Sequence, residues 1–155
     1  MESGSPIFES EVHAANFEKR ARKLQNALKD YEAWKMYEQF GTPGAPVAIV
    51  GWGSTIGPVR EAVARAQAED MPVEVLYPKL LFPLPREHIG DFIRDRQVVI
   101  IPELNFTGQF ARTLQAEFGR EFVRLNKYGG VPFATREIYE KIKTVYAGLN
   151  EKVKA

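Results

Sequence analysis

The residues best equipped for chemistry lie in two short stretches, each between an apolar run and a helical pattern. In Gly51-Trp-Gly-Ser-Thr-Ile-Gly57 the glycines allow a sharp turn, and Ser54 or Thr55 is placed to cap the following helix. Exposed amides at such a turn suit an anion, which makes Ser54 and Thr55 candidate binding residues. The dinucleotide fingerprint is not met: Ile56 stands at its third glycine position and Gly57 comes one residue late. Tyr77 and Pro78 end the next strand, where a ribose-binding carboxylate would be needed, and no lysine follows the glycines as a Walker-type loop requires. The plainer reading is a tight strand-to-helix turn with a capped helix.

In Glu103-Leu-Asn-Phe-Thr-Gly-Gln109 a carboxylate and two side-chain amides converge on a helix start. The stretch follows a buried strand, and open α/β sheets place their sites at the carboxyl ends of strands. Glu103, Asn105 and Gln109 are therefore candidate binding or interface residues. The structural alternative has Asn105 or Thr107 capping the helix while Glu103 bonds nearby backbone amides. Lys19, Arg20, Arg22 and Lys23 form a third cluster, read either as a solvated helix face or as a salt-sensitive contact with an acidic partner or a phosphate.

No catalytic or metal-ligating residue is assigned. His13 and His88 are the chain's two histidines, neither set by motif beside a serine, cysteine or aspartate, and both are expected at the surface or at a cap. There is no cysteine, so thiol nucleophiles, disulfides, zinc–thiolate sites and cysteine-ligated iron–sulfur clusters are excluded from these residues. A net charge of +1 provides no field to gather nucleic acid or anionic lipid, which disfavours both as partners. No apolar run approaches the roughly 20 residues that cross a bilayer. Met1–Pro6 lacks a basic start followed by an apolar core, so the expected location is cytoplasmic.

The elements that must position these residues alternate between two periods. Residues 1–10 read as a polar lead-in, and Glu11–Trp34 as an amphipathic helix with Phe17, Ala21, Leu24, Leu28, Tyr31 and Trp34 on one side. That stripe is expected to be buried on the domain behind it or on another chain. Thr42-Pro-Gly-Ala-Pro46 marks a boundary, giving a helical appendage over 1–41 and a compact domain over 42–155. Within the domain, strands are predicted at Val47–Val50, Val73–Tyr77, Val98–Ile101 and Phe122–Leu125. Helices are predicted after Gly57, at Arg86–Arg94, at Thr107–Phe118 and from Ile138 to Val153. The alternation predicts an α/β three-layer sandwich, with a mainly parallel sheet of about five strands flanked by helices.

Taken together, the segments resemble the C-terminal domain of the α subunit of 2-oxoacid:ferredoxin oxidoreductases, the pyruvate and 2-oxoglutarate enzymes. Ile49-Val-Gly-Trp-Gly-Ser-Thr55 resembles the strand and turn that open that domain, and Tyr77-Pro-Lys-Leu-Leu-Phe-Pro-Leu-Pro85 its proline-bracketed segment. Glu103–Gln109 resembles a Glu-x-Asn-x-x-Gly-Gln element, Tyr128-Gly-Gly-Val-Pro-Phe133 a Gly-x-Pro-Phe segment, and His13 with Glu18–Lys23 the preceding basic helix. The resemblance implies a fold like the transketolase C-terminal domain. It also implies a complex that decarboxylates a 2-oxoacid with thiamine diphosphate and magnesium, passes electrons through an iron–sulfur cluster to ferredoxin, and forms an acyl-CoA from coenzyme A.

The family's thiamine-binding segment and its Gly-Asp-Gly element do not occur here, so the chain reads as a truncated subunit or a fragment without cofactors of its own. Its implied partners are the remainder of the α subunit and the β subunit, with a homodimer also allowed. The rival readings are a free-standing small-molecule or phosphate-binding module using the Ser54/Thr55 turn, and the equivalent domain of another thiamine enzyme.

Overall fold

The computed structural model describes residues 9–154, so the lead-in expected over residues 1–10 falls almost wholly outside the described residues. Two units are present: residues to Met36 with Leu80–Pro85, and Tyr37–Lys79 with Arg86 onward. In the first, helix α1 runs Ser10–Lys29. It stops short of the expected Trp34 because the chain tightens into turns: the Tyr31 amide donates to Leu28, that of Trp34 to Asp30 and that of Lys35 to Glu32. Lys35 then takes a left-handed conformation that a helix cannot contain. The expected burial of the stripe holds for Tyr31 alone among its large residues. No residue of α1 is buried, and Phe17, Leu24 and Trp34 are exposed.

The second unit is the three-layer α/β sandwich that the alternation predicts. Its strands are β1 (Tyr37–Gly41), β2 (Val47–Val50), β3 (Val73–Pro78), β4 (Val98–Glu103) and β5 (Val123–Asn126). Its helices are α2 (Ile56–Gln67), α3 (Arg86–Arg94), α4 (Gln109–Phe118) and α5 (Thr135–Lys154). The sheet order is β1-β3-β2-β4-β5, with β1 antiparallel and the other pairs parallel. Strand β1 lies on the appendage side of the boundary expected at residue 42.

Burial explains the strand sequences. Val47, Ile49, Val73, Val75, Tyr77 and Ile100 point to one face, where Val59, Ala62, Val63 and Ala66 of α2 and Ile138, Tyr139 and Ile142 of α5 close over them. The alternate residues Val50, Leu76, Val99 and Ile101 are just as buried on the other face, with Ile89 and Phe92 of α3 and Phe110 and Leu114 of α4. Strands covered on both faces therefore read as continuous apolar runs. One polar residue interrupts the pattern: Glu74, buried in β3, accepts from Gln39 Nε2 at 2.6 Å, Gly44 N at 2.8 Å and Arg96 Nη2 at 2.6 Å. Arg96 also donates to the Ala45 carbonyl at 3.1 Å, so one ion pair ties β1, the Thr42–Pro46 turn and the entry to β4.

Candidate functional site

The chain leaves β2 through α2 to reach β3 on one side, then crosses back past β2 to β4 and continues outward to β5. Right-handed crossovers put α2 on one face and α3 and α4 on the other. The exits from β2 and β4 thus diverge, and the gap between their carboxyl ends is the switch point where α/β sheets hold ligands. Ile49 pairs with Ile100, so the turn after β2 and the loop after β4 start side by side. Both stretches singled out by residue chemistry therefore lie at the same edge.

In the first turn, a 3-10 segment over Gly53–Thr55 leads into α2. Ser54 is exposed and Thr55 buried. Thr55 stands at the cap position but makes no side-chain capping bond, so the capped-helix expectation is corrected. Its hydroxyl donates instead to the Trp52 carbonyl at 3.0 Å and lies 2.9 Å from the Tyr77 hydroxyl, within hydrogen-bond reach. Burial pushes the Tyr77 hydroxyl well above its usual range, partly offset by the Thr55 bond. Gly51 is required by this arrangement: a Cβ there would lie 2.5 Å from Cζ and Oη of Tyr77.

The second stretch is a closed network. Glu103 ends β4 on the α4 face with only 1% of its surface exposed. Its carboxylate accepts from the Phe110 amide at 2.8 Å, the Ala111 amide at 2.9 Å and Asn105 Nδ2 at 2.8 Å. Asn105 Oδ1 accepts from the amides of Gly108 at 2.6 Å and Gln109 at 3.3 Å. Asn105 and Glu103 together meet the free amides that begin α4, while Gln109 is exposed. A carboxylate at the positive end of a helix is also favoured electrostatically. This buried end of the helix already holds its own anion.

Beyond these residues, the loops after β4 and β5 form an apolar ridge that the residue-by-residue reading did not single out. Leu104, Phe106, Tyr128 and Val131 are 39%, 69%, 67% and 60% exposed. Phe106 and Tyr128 meet edge to face, their ring centroids 4.8 Å apart. Beside them a cleft of about 320 Å³ is lined by Leu104, Tyr128, Gly129, Gly130, Val131 and Pro132, with Lys127 at its border. Lys127 Nζ bonds Glu137 at 2.6 Å, and that bond, with one from the Ala134 amide, holds the Glu137 carboxyl below its usual range. The Tyr128-Gly-Gly-Val sequence is the signal that could have located the cleft. Elsewhere, Lys19, Arg20, Arg22, Lys23 and His13 are exposed on α1, and His88 is half-buried against Tyr37. Among the described residues, no three of His, Cys, Asp or Glu are grouped to hold a metal ion.

This sheet order, with both polar turns at one edge, defines an α/β domain whose fold transketolases share. A transketolase from Pichia stipitis shares the fold with a TM-score of 0.58 at 13% identity, over 74% of this chain and 18% of that one. Residues 45–138 match pyruvate:ferredoxin oxidoreductase core domain II, and the chain belongs to that family. It is 34% identical over 107 residues to the 2-oxoglutarate oxidoreductase subunit KorA of Mycobacterium tuberculosis, covering 69% of this chain and 16% of that subunit. The 2-oxoglutarate:ferredoxin oxidoreductase of Magnetococcus marinus, solved with 2-oxoglutarate, coenzyme A and succinyl-CoA bound, matches with a TM-score of 0.79 and 38% identity. That match covers 93% of this chain and 25% of the other. The chain thus spans a quarter or less of these relatives. These matches do not favour the free-standing phosphate-binding reading of the Ser54/Thr55 turn.

Proposed function

We propose that this chain is the non-catalytic structural and subunit-assembly domain of a thiamine-diphosphate-dependent 2-oxoacid:ferredoxin oxidoreductase. The whole enzyme would oxidatively decarboxylate a 2-oxoacid to an acyl-CoA in the cytoplasm. The remainder of the α subunit and the β subunit would be its partners and ferredoxin its electron acceptor. One observation carries the reading: at the edge where a sheet of this kind would hold a ligand, Glu103 and Asn105 are bonded to the protein's own amides. A network closed in this way shapes and stiffens the loop between β4 and α4 and leaves Gln109 facing outward.

The residues here do not fit two groups of the whole enzyme, the iron–sulfur cluster and magnesium. An iron–sulfur cluster needs thiolates and the chain has no cysteine. Magnesium needs several oxygen ligands, and no acidic cluster exists among the described residues. The cluster and magnesium are therefore assigned to the remainder of the enzyme. Ser54, Thr55 and Gln109 would act at the interface, Ser54 and Gln109 directly and Thr55 through the shape of its turn.

The test is an assay with thiamine diphosphate, magnesium, coenzyme A, a 2-oxoacid and a viologen acceptor. The purified chain alone should give no turnover, and adding the remaining polypeptides should give it. Turnover by the chain alone, abolished by a substitution within it, would overturn the reading.

A further inference from the structure

We propose that the ridge formed by Leu104, Phe106, Tyr128 and Val131, with the cleft beside it, docks an uncharged apolar segment from the remaining part of the α subunit. The inference rests on the assembly role above and names the surface that performs it.

Four large apolar side chains exposed side by side, two of them in ring contact, are what interaction surfaces present and what isolated monomers avoid. The ridge is also held in place before anything binds. Asn105 fixes the loop after β4, Asn126 Nδ2 donates to the Phe106 carbonyl at 3.1 Å, and the Lys127 amide donates to the Glu103 carbonyl at 3.0 Å. Aromatic anchors on a rigid base lose little freedom on binding.

Charge decides what kind of partner fits. Glu103, at the base of the ridge, is bonded to three N–H groups inside the protein, and Lys127, the one cation lining the cleft among the described residues, is paired with Glu137. A phosphate or carboxylate ligand would find no free cation among the described residues that line the cleft, and a charged peptide would leave its charge desolvated and unpaired. A neutral apolar segment loses nothing. The cleft floor suits a peptide as well: a Cβ added at Gly129 or Gly130 would meet nothing within 4 Å, so both leave open space for another backbone.

Length decides where the segment comes from. This chain spans 22% of the α subunit of Saccharolobus solfataricus and 16% of KorA, so in those relatives most of the subunit is available to cover such a ridge.

The test titrates the full 155-residue chain calorimetrically with the purified remainder of the enzyme. Val131→Asp places a charge in the cleft, and Tyr128→Ala removes an anchor; both positions are exposed, so melting temperatures should stay unchanged. Each variant should weaken binding about tenfold or more, as central aromatic and apolar anchors do. Glu140→Ala, exposed on α5, should bind as the parent does. If the parent fails to bind, the assembly role itself falls, and this proposal with it. If the parent binds and both variants match it, the ridge is not the docking surface and the assembly role stands. Sedimentation of the chain alone gives a further check: a dimer dispersed by Val131→Asp would make a second copy the occupant and overturn the proposal. Should Val131→Asp unfold, Tyr128→Ala decides the matter by itself.

Discussion

Gly51 and Tyr77 share a space that admits one side chain. A methyl group at Gly51 would sit 2.5 Å from the Tyr77 ring, inside a core with no slack to receive the displaced phenol. Overpacking of this kind costs about 1–3 kcal/mol, so Gly51→Ala should lower stability by that much in urea unfolding, and the double variant with Tyr77→Ala should recover part of it. The same tyrosine sets a response to alkali. Burial raises its folded pKa above the ordinary value of 10.0, so the fold prefers the neutral phenol. Its contribution is complete below pH 10 and declines as pH climbs toward the folded value, because the unfolded chain ionises first. Stability should therefore fall as pH is taken from 9 to 11, and Tyr77→Phe should fall less steeply; equal slopes would refute the assignment. Tyr146, raised by burial, and Tyr139, raised mainly by its bond from the hydroxyl to Glu69, remain in that variant and keep part of the decline.

Helix α4 begins on acceptors supplied by β4. Replacing Glu103 with alanine leaves two buried amides without partners, at about 1–3 kcal/mol each, so its loss should be the largest of the three substitutions at this element. Asn105→Ala should cost about 1 kcal/mol, as loss of a cap does. Gln109→Ala, at an exposed site, should stay within about 0.5 kcal/mol. Denaturant titration of the three variants checks the order Glu103, Asn105, Gln109; a Gln109 loss as large as that of Glu103 would remove it from the interface. Strands β2, β3 and β4 were legible because both of their faces are apolar, and the Glu103–Gln109 stretch because a carboxylate and two amides meet at a helix start. Strand β1 was not, since Glu38 and Gln39 interrupt a short, half-buried edge with no alternation to detect. The end of α1 was overrun because Tyr31 and Trp34 continue its spacing by chance beyond the last helical residue. The ridge stayed hidden for another reason: Phe106 and Tyr128 are 22 residues apart, and only the β4–β5 pairing brings them together.

On the scale of the α/β unit, the two faces of the sheet are completed by different parts of the chain. The face bearing Leu76 and Ile101 is covered by α3 and α4, and the face bearing Ile49 and Val75 needs α5 beside α2. Ile142 has no exposed surface there, and Ile142→Ala should cost about 2–5 kcal/mol. Ending the chain at residue 134 removes α5 and leaves α2 as the only cover of that face; circular dichroism should then show loss of cooperative melting, and retained cooperative melting would mean that α5 is dispensable. The order in which a ribosome delivers these pieces gives the arrangement a consequence in time. At about 5–20 residues per second, α2 emerges several seconds before α5, and the part of its apolar face that packs against α5 has no cover in that interval. The surface that α5 will cover must wait, exposed to chaperones and to neighbouring nascent chains, until the twenty residues of α5 clear the exit tunnel.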